Sequence, residues 1–246
     1  MKIIVCIAKV VETTAKIKFT DDGSAFDPTG AQYILNPYDE WYSLVRALEL
    51  KEEKGGEVTV VHVGGADSEQ IIRKALAIGA DKAVRIDKEP VSADETAFYL
   101  AEYLKGIEYD IVFTGKETVD YNGGLVPGLL SGMLELPFVG VVSDLSVDDG
   151  IATMVREIEG GTEKVKLSLP VVLSGTKDLA EQRIPNMRGI MMAKRKPIDI
   201  VEPAEYSSRV KFVSFQLPEE KKEITYVDPD QMDELVRLLH EEAKVL

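Results

Sequence analysis

The sequence is poor in the side chains that most often bind metals or form disulfides. Its 246 residues include one cysteine, Cys6, and two histidines, His62 and His240. A single thiol forms neither an internal disulfide nor a paired-cysteine metal site. Two histidines so far apart in sequence also argue against a histidine-rich metal centre or a conventional catalytic triad.

Positive charge and long apolar runs are scarce as well. The chain has 29 Lys and Arg against 43 Asp and Glu, a net charge of −14. This balance argues against sequence-independent nucleic-acid binding, which depends on basic side chains that contact phosphates. No apolar run approaches the length of a membrane span, and Met1–Ile7 is typical of a strand rather than a signal peptide. We therefore expect a cytoplasmic protein with no nucleic-acid partner and no direct membrane insertion.

What the chain does contain is an alternation of strands and helices. Short apolar runs typical of strands covered on both faces lie at Ile3–Ala8, Val58–Val63 and Tyr109–Thr114. The helices between such runs are predicted to begin at Asn36 as N-cap, at Asp67 or Ser68, and at the capping box Ser92–Glu95. This order predicts an α/β fold with a doubly wound, mostly parallel sheet.

The second half of the chain follows a different pattern. Ile151–Glu157 and Glu163–Leu169 flank Gly160 and Gly161, which predicts an antiparallel hairpin. A short basic helix is predicted over Gly189–Lys196.

Two regions are predicted: a nucleotide-binding α/β domain over residues 1–197, and a C-terminal arm and helix over 198–246. The arm includes prolines and the charged run Glu219–Glu223, and its final helix, from Pro229, has one apolar stripe. A lone amphipathic helix on an extended arm cannot bury its own stripe, so we expect it to pack on another chain.

The stretch Phe113–Gly128 is the strongest candidate for a ligand site. A buried strand there passes into glycines and small polar residues and then into a helix from about Leu129. Such a loop directs backbone N–H groups and a helix N-terminus at phosphate. It has neither a Walker A nor a Gly-x-Gly-x-x-Gly pattern, so a structural turn is the alternative. Lys116 either contacts phosphate or is solvated, and Asp120 either fixes the loop or binds a ribose hydroxyl.

Two charged clusters have a functional and a plain interpretation. Glu157 and Glu159 beside the Gly-Gly turn suit acid–base chemistry, but strand alternation favours a solvated or partner-facing edge. The basic residues that follow Arg183 are either a solvated helix end or a docking surface for an acidic partner. The neighbouring apolar residues Ile184, Met187 and Met191 favour docking. Cys6, in a buried strand, is expected to be inert.

Together these segments resemble the beta (small) subunit of electron transfer flavoprotein over nearly the whole length. The motifs that carry the resemblance are Ile4–Lys9, Asn36–Asp39, Arg73–Asp81, Gly115–Asp120, Val155–Glu163 with Leu169–Val172, and Ile190–Lys196. The resemblance implies an adenine nucleotide alpha-hydrolase-like fold and an obligate heterodimer with an alpha subunit that carries the redox-active FAD. It also implies AMP as a structural ligand of this chain.

The resemblance assigns two groups of site residues. The AMP contacts fall on Cys6, Asn36, Pro37, Tyr38, Asp39, Val63, Gly115, Lys116, Glu117, Thr118, Val119, Asp120, Tyr121, Asn122, Gly123, Gly124, Leu125 and Val126. Tyr38 is also implied to lie near the flavin of the alpha subunit. The partner-docking residues are Glu157, Ile184, Pro185, Asn186, Met187, Arg188, Gly189, Ile190 and Met191.

The implied function is electron carriage without catalytic residues of the chain's own. Electrons pass from flavin dehydrogenases, such as acyl-CoA dehydrogenases, through the alpha-subunit FAD to a quinone reductase or another acceptor. One alternative is a bifurcating relative with a second FAD in the nucleotide site and NADH oxidation. A second is a stand-alone nucleotide-binding regulator of the universal-stress type.

Overall fold

The computed structural model describes residues 1–219 and 224–246. The strands are β1 Lys2–Cys6, β2 Lys9–Val11, β3 Tyr33–Leu35, β4 Glu57–Val63, β5 Lys82–Ile86, β6 Ile111–Gly115, β7 Phe138–Asp148, β8 Ile151–Ile158, β9 Gly161–Ser168, β10 Val171–Gly175 and β11 Asp199–Val201. The helices are α1 Asp39–Lys54, α2 Glu69–Ile78, α3 Ala93–Leu104, α4 Val126–Leu134, α5 Met187–Ala193 and α6 Met232–Arg237. A 3-10 turn, Ala66–Ser68, precedes α2, and a π-helical turn, Leu238–Ala243, follows α6.

Nine strands form one sheet in the order β11-β5-β4-β1-β6-β10-β7-β8-β9. Neighbouring strands from β11 to β7 are parallel to each other. β8 pairs antiparallel with β7, and β9 pairs antiparallel with β8. This arrangement confirms the predicted α/β fold, the mostly parallel sheet and the hairpin. β2 and β3 pair separately and close an excursion between β1 and α1, residues 12–32.

Side chains that alternate along each parallel strand build two apolar layers. Ile3 of β1 packs in one layer with Leu44 of α1, whereas the next residue, Ile4, packs in the other with Leu100 of α3. Full burial of such a side chain contributes roughly 1.5–3 kcal/mol relative to exposure. Continuous apolar runs therefore form strands because both faces of this sheet are covered by helices.

Two of the predicted helix starts are wrong in detail. α1 begins after Tyr38, and no side chain caps it. Asn36 forms bonds elsewhere, as described below. Ser68 precedes α2 without capping it, and Asp67 instead pairs with Lys9. The Ser92 cap is confirmed, since its hydroxyl accepts from the Glu95 N–H at 3.4 Å, but the Glu95 carboxylate accepts from the Val91 N–H at 2.9 Å rather than from that of Ser92.

Two helix boundaries differ from the prediction. α4 starts three residues before the predicted Leu129, because Pro127 suits a first helical turn. α5 starts at Met187, where the Asn186 side chain accepts from the Gly189 N–H at 2.8 Å. It ends at Ala193, so the basic triplet Lys194–Lys196 lies beyond the helix rather than inside it.

The chain after residue 197 begins as part of the sheet. β11 adds to the open edge beside β5, within the range that the sequence assigned to the arm. The division at residue 197 stays a prediction, and residues 220–223 of the predicted charged run lie outside the described residues. No helix in the described part of the chain has the length and apolar character needed to cross a membrane.

At the far edge of the sheet, β9 carries charged side chains. Glu163, Lys164 and Lys166 are its charged members, and most of the strand is exposed. The Arg156 guanidinium of β8 pairs with the Glu163 carboxylate at 2.7 Å. The outermost strand thus has one partner strand and a charged margin.

Candidate functional site

A crevice lies at the carboxyl edge of the parallel strands. β1 has β4 on one side and β6 on the other, so the connections that follow these strands diverge there. Such a switch point is where open parallel sheets bind ligands. The residues around it come from the excursion 12–32, from Val63–Gly65 after β4, and from residues 116–125 after β6, called the nucleotide loop below.

Asn36 holds the nucleotide loop from behind. Its side-chain Nδ2 donates to the Glu117 carbonyl at 2.9 Å, and its Oδ1 accepts from the Val119 N–H at 3.2 Å. The Asp39 carboxylate accepts from the Glu117 N–H at 3.3 Å. Asn36 is buried, at 1% exposure, so water does not compete for these bonds. This clamp explains why Asn36 does not cap α1.

A buried acid, Glu40, lies beneath the clamp. Its carboxyl group accepts from the N–H of Ala8, which lies between β1 and β2. Burial, with the nearby charges of Asp120 and Asp39, raises the pKa of Glu40 to about 8. At neutral pH the Glu40 carboxyl group is therefore mostly protonated. A side chain at position 115 would come within 2.7 Å of Glu40, so glycine fits there.

The tip of the nucleotide loop presents backbone donors. Asn122 and Gly124 have positive φ, at 50° and 59°. Within the described chain, no hydrogen bond engages the N–H of Gly123 or Gly124. α4 begins after Leu125 with no side-chain cap. Free N–H groups at a helix N-terminus fit the phosphate of a mononucleotide.

The two charged residues singled out in the loop have local partners. Lys116 pairs with Glu117 at 3.0 Å. The Asp120 carboxylate accepts from the Tyr121 N–H at 2.9 Å, which fixes the loop.

A cavity of about 500 Å³ opens beside the loop. Its wall includes Tyr38, Asp39, Lys116, Glu117, Glu157 and Lys177. The structure thus brings Glu157 of the β8 hairpin to the same cavity as Tyr38, although the two are far apart in sequence. Tyr38 is 53% exposed and accessible to another molecule. The sequence analysis did not identify Tyr42, Val141, Thr176 and Lys177, which also line the cavity.

Residues 184–191, called the docking segment below, form a separate apolar surface. Ile184, Met187 and Met191 are 84%, 74% and 61% exposed. The other members of the segment lie just before α5 or in its first turn: Pro185, Asn186, Arg188, Gly189 and Ile190.

The backbone of the docking segment is fixed from its inner side. Arg183 pairs with Glu52 of α1 at 2.6 Å, and its carbonyl accepts from the Trp41 indole at 3.3 Å. Arg73 of α2 donates to the Ala193 carbonyl at 2.7 Å. A side chain at Gly189 would collide with the backbone of α2, so α5 lies close against that helix.

Known proteins resemble this chain over most of its length. A family model described as "Electron transfer flavoprotein domain" matches residues 24–206, well over half of the chain. The chain belongs to the electron transfer flavoprotein family. It is similar to proteins named "Electron transfer flavoprotein subunit beta" from several organisms. The one from Bacillus subtilis is 36% identical, over 97% of this chain and 94% of its own length.

Two further relatives of the same name also match over most of this chain and most of their own length. The protein from Syntrophomonas wolfei is 38% identical over 90% of this chain and 87% of its own length. The human protein is 27% identical over 100% of this chain and 99% of its own length. The resemblance to the electron transfer flavoprotein family is confirmed.

The remaining contact residues implied by the family lie outside the cavity wall. Cys6 and Val63 lie buried in β1 and β4, and burial raises the pKa of the Cys6 thiol. The Pro37 carbonyl accepts from the Gln182 amide at 2.9 Å. The other positions, Gly115, Thr118, Leu125 and Val126, belong to the end of β6, the loop and the start of α4.

Glu40 was missed by the sequence analysis. An acid in the first turn of a helix normally suits the helix dipole and is solvated, so nothing in the sequence marked this one as buried. Within the described residues, no three His, Cys, Asp or Glu side chains are grouped to hold a metal ion.

Proposed function

We propose that the chain is the beta subunit of a heterodimeric electron transfer flavoprotein. Electrons pass from dehydrogenases, such as acyl-CoA dehydrogenases, through an FAD on the alpha subunit to a quinone reductase or another acceptor. Bound FAD supplies the redox chemistry, and this chain orients and shields it. Family membership and the "subunit beta" names of relatives that match over nearly their full length support this assignment.

AMP is the proposed structural ligand. The observation that carries this proposal is the Asn36 clamp together with the unbonded N–H groups of Gly123 and Gly124. The clamp fixes the loop without using those donors, so they remain available to a phosphate. The mostly neutral Glu40 adds little repulsion toward an anion, which supports the same ligand.

The cavity wall is proposed to face the flavin domain of the alpha subunit. Tyr38 presents an exposed aromatic ring there, and Glu157 lies across the same cavity. The polar residues of the crevice, including Asn36 and Asp39, are engaged in holding backbone. This use supports an electron carrier without catalytic residues of its own.

Docking of the dehydrogenase is proposed for residues 184–191. An exposed methionine-rich surface adapts to the shape of a partner, and Arg188 with the following basic triplet favours an acidic rim. The arm is proposed to pack on the alpha subunit, because Ile224, Tyr226 and Met232 are exposed in this chain by itself. A cytoplasmic location stays a prediction.

The nucleotide and flavin content of the co-expressed heterodimer tests the proposal. We expect one FAD and one AMP per dimer. Gly123→Leu should lower the AMP content, because a side chain at Gly123 meets no protein atom within 4 Å and would fill ligand space instead. Gly132→Leu in α4 is the control, since that position is equally open and lies outside the loop.

Two flavins per dimer without AMP would overturn the main proposal in favour of the bifurcating alternative. The unbonded N–H groups of Gly123 and Gly124 keep this alternative open, since they would suit the phosphate of either ligand. A stable monomer without affinity for an alpha subunit would favour the stand-alone regulator, against which family membership argues.

A further inference from the structure

The chain leaves the sheet at the same edge as the crevice. β11 is parallel to β5, so it ends on the carboxyl side, where the Asp87 N–H donates to the Val201 carbonyl at 2.9 Å. Tyr206 then docks on α3. Its ring lies 4.6 Å from that of Phe98, and its hydroxyl donates to the Asp94 carboxylate.

Beyond this anchor, the arm contacts the nucleotide loop. The rings of Phe212 and Tyr121 are stacked, with centroids 6.0 Å apart and an interplanar angle of 22°. Tyr121 belongs to the loop that Asn36 clamps. The arm therefore rests on the part of the loop that faces solvent.

A third contact joins the arm to the excursion after β1. Phe215 stacks on Phe19 at 5.2 Å, and its N–H donates to the Gly23 carbonyl at 2.7 Å. Phe212 and Phe215 themselves lie 4.8 Å apart. A row of four aromatic rings thus links the loop, the arm and the excursion.

The order of the strands determines which part of the molecule the arm crosses. Its first anchor follows β5 and its last contacts follow β1 and β6, and β4 lies between them. Three strand spacings amount to roughly 14 Å. Six extended residues from Tyr206 to Phe212 reach roughly 20 Å, which suffices for the crossing. Anchored at both ends in this way, residues 206–215 have the reach to span the carboxyl edge of the sheet where the crevice lies.

We propose that residues 206–215 form the outer wall of the nucleotide site, so that a bound nucleotide leaves only when this part of the arm lifts. The inference rests on the proposed function for the identity of the ligand, AMP. Phe212 is 46% exposed and Tyr121 is 64% exposed, so the wall is closed by contacts between exposed rings. Contacts of this kind open far more readily than a core, which makes the wall a gate rather than a seal.

The test is the rate of AMP release from the co-expressed heterodimer, measured by dilution into excess unlabelled AMP. Phe212→Ala combined with Phe215→Ala should speed release by about fivefold or more. The matched control is Val213→Ala, because that side chain lies between the two on the same arm and is 85% exposed. Equal release rates in the double variant and the control would overturn the proposal.

A second measurement separates this inference from the identity of the ligand. Amide hydrogen exchange of residues 116–125 in the full chain reports the wall even if no AMP is retained. Faster exchange in the double variant than in Val213→Ala supports the wall, and unchanged exchange overturns it. Absence of AMP from every preparation would count against the proposed ligand alone. Phe212→Ala by itself serves if the double variant loses its far-UV circular dichroism.

Discussion

The nucleotide loop and the docking segment both lie after central strands of the sheet, but they are built in opposite ways. The loop is held by a buried side chain, Asn36, and keeps its backbone donors free. The docking segment is held by exposed and half-buried ionic contacts such as Arg183 with Glu52, and keeps its side chains free.

This difference matches what each surface is proposed to recognise. Phosphate is bound by main-chain N–H groups, so their positions have to be fixed by bonds that water cannot disrupt. A protein partner is bound by side chains that adapt to it, so a fixed backbone that carries exposed methionines suffices. The contacts that hold the backbone of a loop therefore indicate whether its main chain or its side chains are available for recognition.

The largest expected effect comes from Asn36→Ala. Removal of both clamp bonds should lower AMP affinity by about thirtyfold, since each buried hydrogen bond contributes about 1 kcal/mol. Isothermal titration with AMP after removal of endogenous nucleotide measures the change. The matched control is Asn186→Ala, which removes a helix cap in the docking segment. Equal losses of AMP affinity in the two variants would contradict the comparison.

Met187→Glu should affect the other region. A charge in an apolar interface lacks a partner and has to be desolvated, so dehydrogenase-driven flavin reduction should slow by about tenfold. Stopped-flow reduction measures it, with dithionite reduction and flavin content unchanged. Ile107→Glu is the control, because Ile107 is also exposed and follows α3, which packs on the other face of the sheet from α1 and α2. Similar slowing in both variants would place docking elsewhere.

The smallest expected effect is on the pH dependence of stability, and it comes from the buried acid Glu40 of α1. Glu40 has a pKa raised from 4.5 to about 8, so the folded state binds the extra proton and stability falls as pH rises through this window. His62, whose burial lowers its pKa from 6.5 to about 4, gives the opposite slope below about pH 6.5. Between about pH 6.5 and 8 the Glu40 slope should stand alone, at most about 1.4 kcal/mol per pH unit.

Glu40→Gln should flatten that slope in denaturant unfolding across this pH range. The control is Glu52→Gln, because the bond from Arg183 lowers the pKa of Glu52, and its contribution is lost only as pH falls below the ordinary carboxyl range. A slope that survives Glu40→Gln would show that another group carries it.

The sequence was sufficient for the elements whose cause is local. Apolar runs located β4 and β6, and Ser92–Glu95 located the start of α3, because periodicity and capping depend on neighbouring residues. The role of Asn36 was mistaken because the same amide that caps a helix also binds a distant backbone segment. The sequence does not show which partner will be in reach.

The burial of Glu40 and the aromatic contacts of the arm were beyond sequence reasoning for the same reason. Glu40 is buried by the closeness of Gly115, some 75 positions further along the chain. Phe212 meets Tyr121 only because the sheet order brings the ends of β5 and β6 to one side. Such long-range contacts depend on the topology of the whole domain.

The charged outer strand has a consequence for the chain before it meets a partner. An unpaired strand edge is a template on which further copies add to build fibrils. Pairing along β9 would strip water from Lys164 and Lys166, which opposes such growth. The chain on its own thus carries protection against aggregation at this end of the sheet.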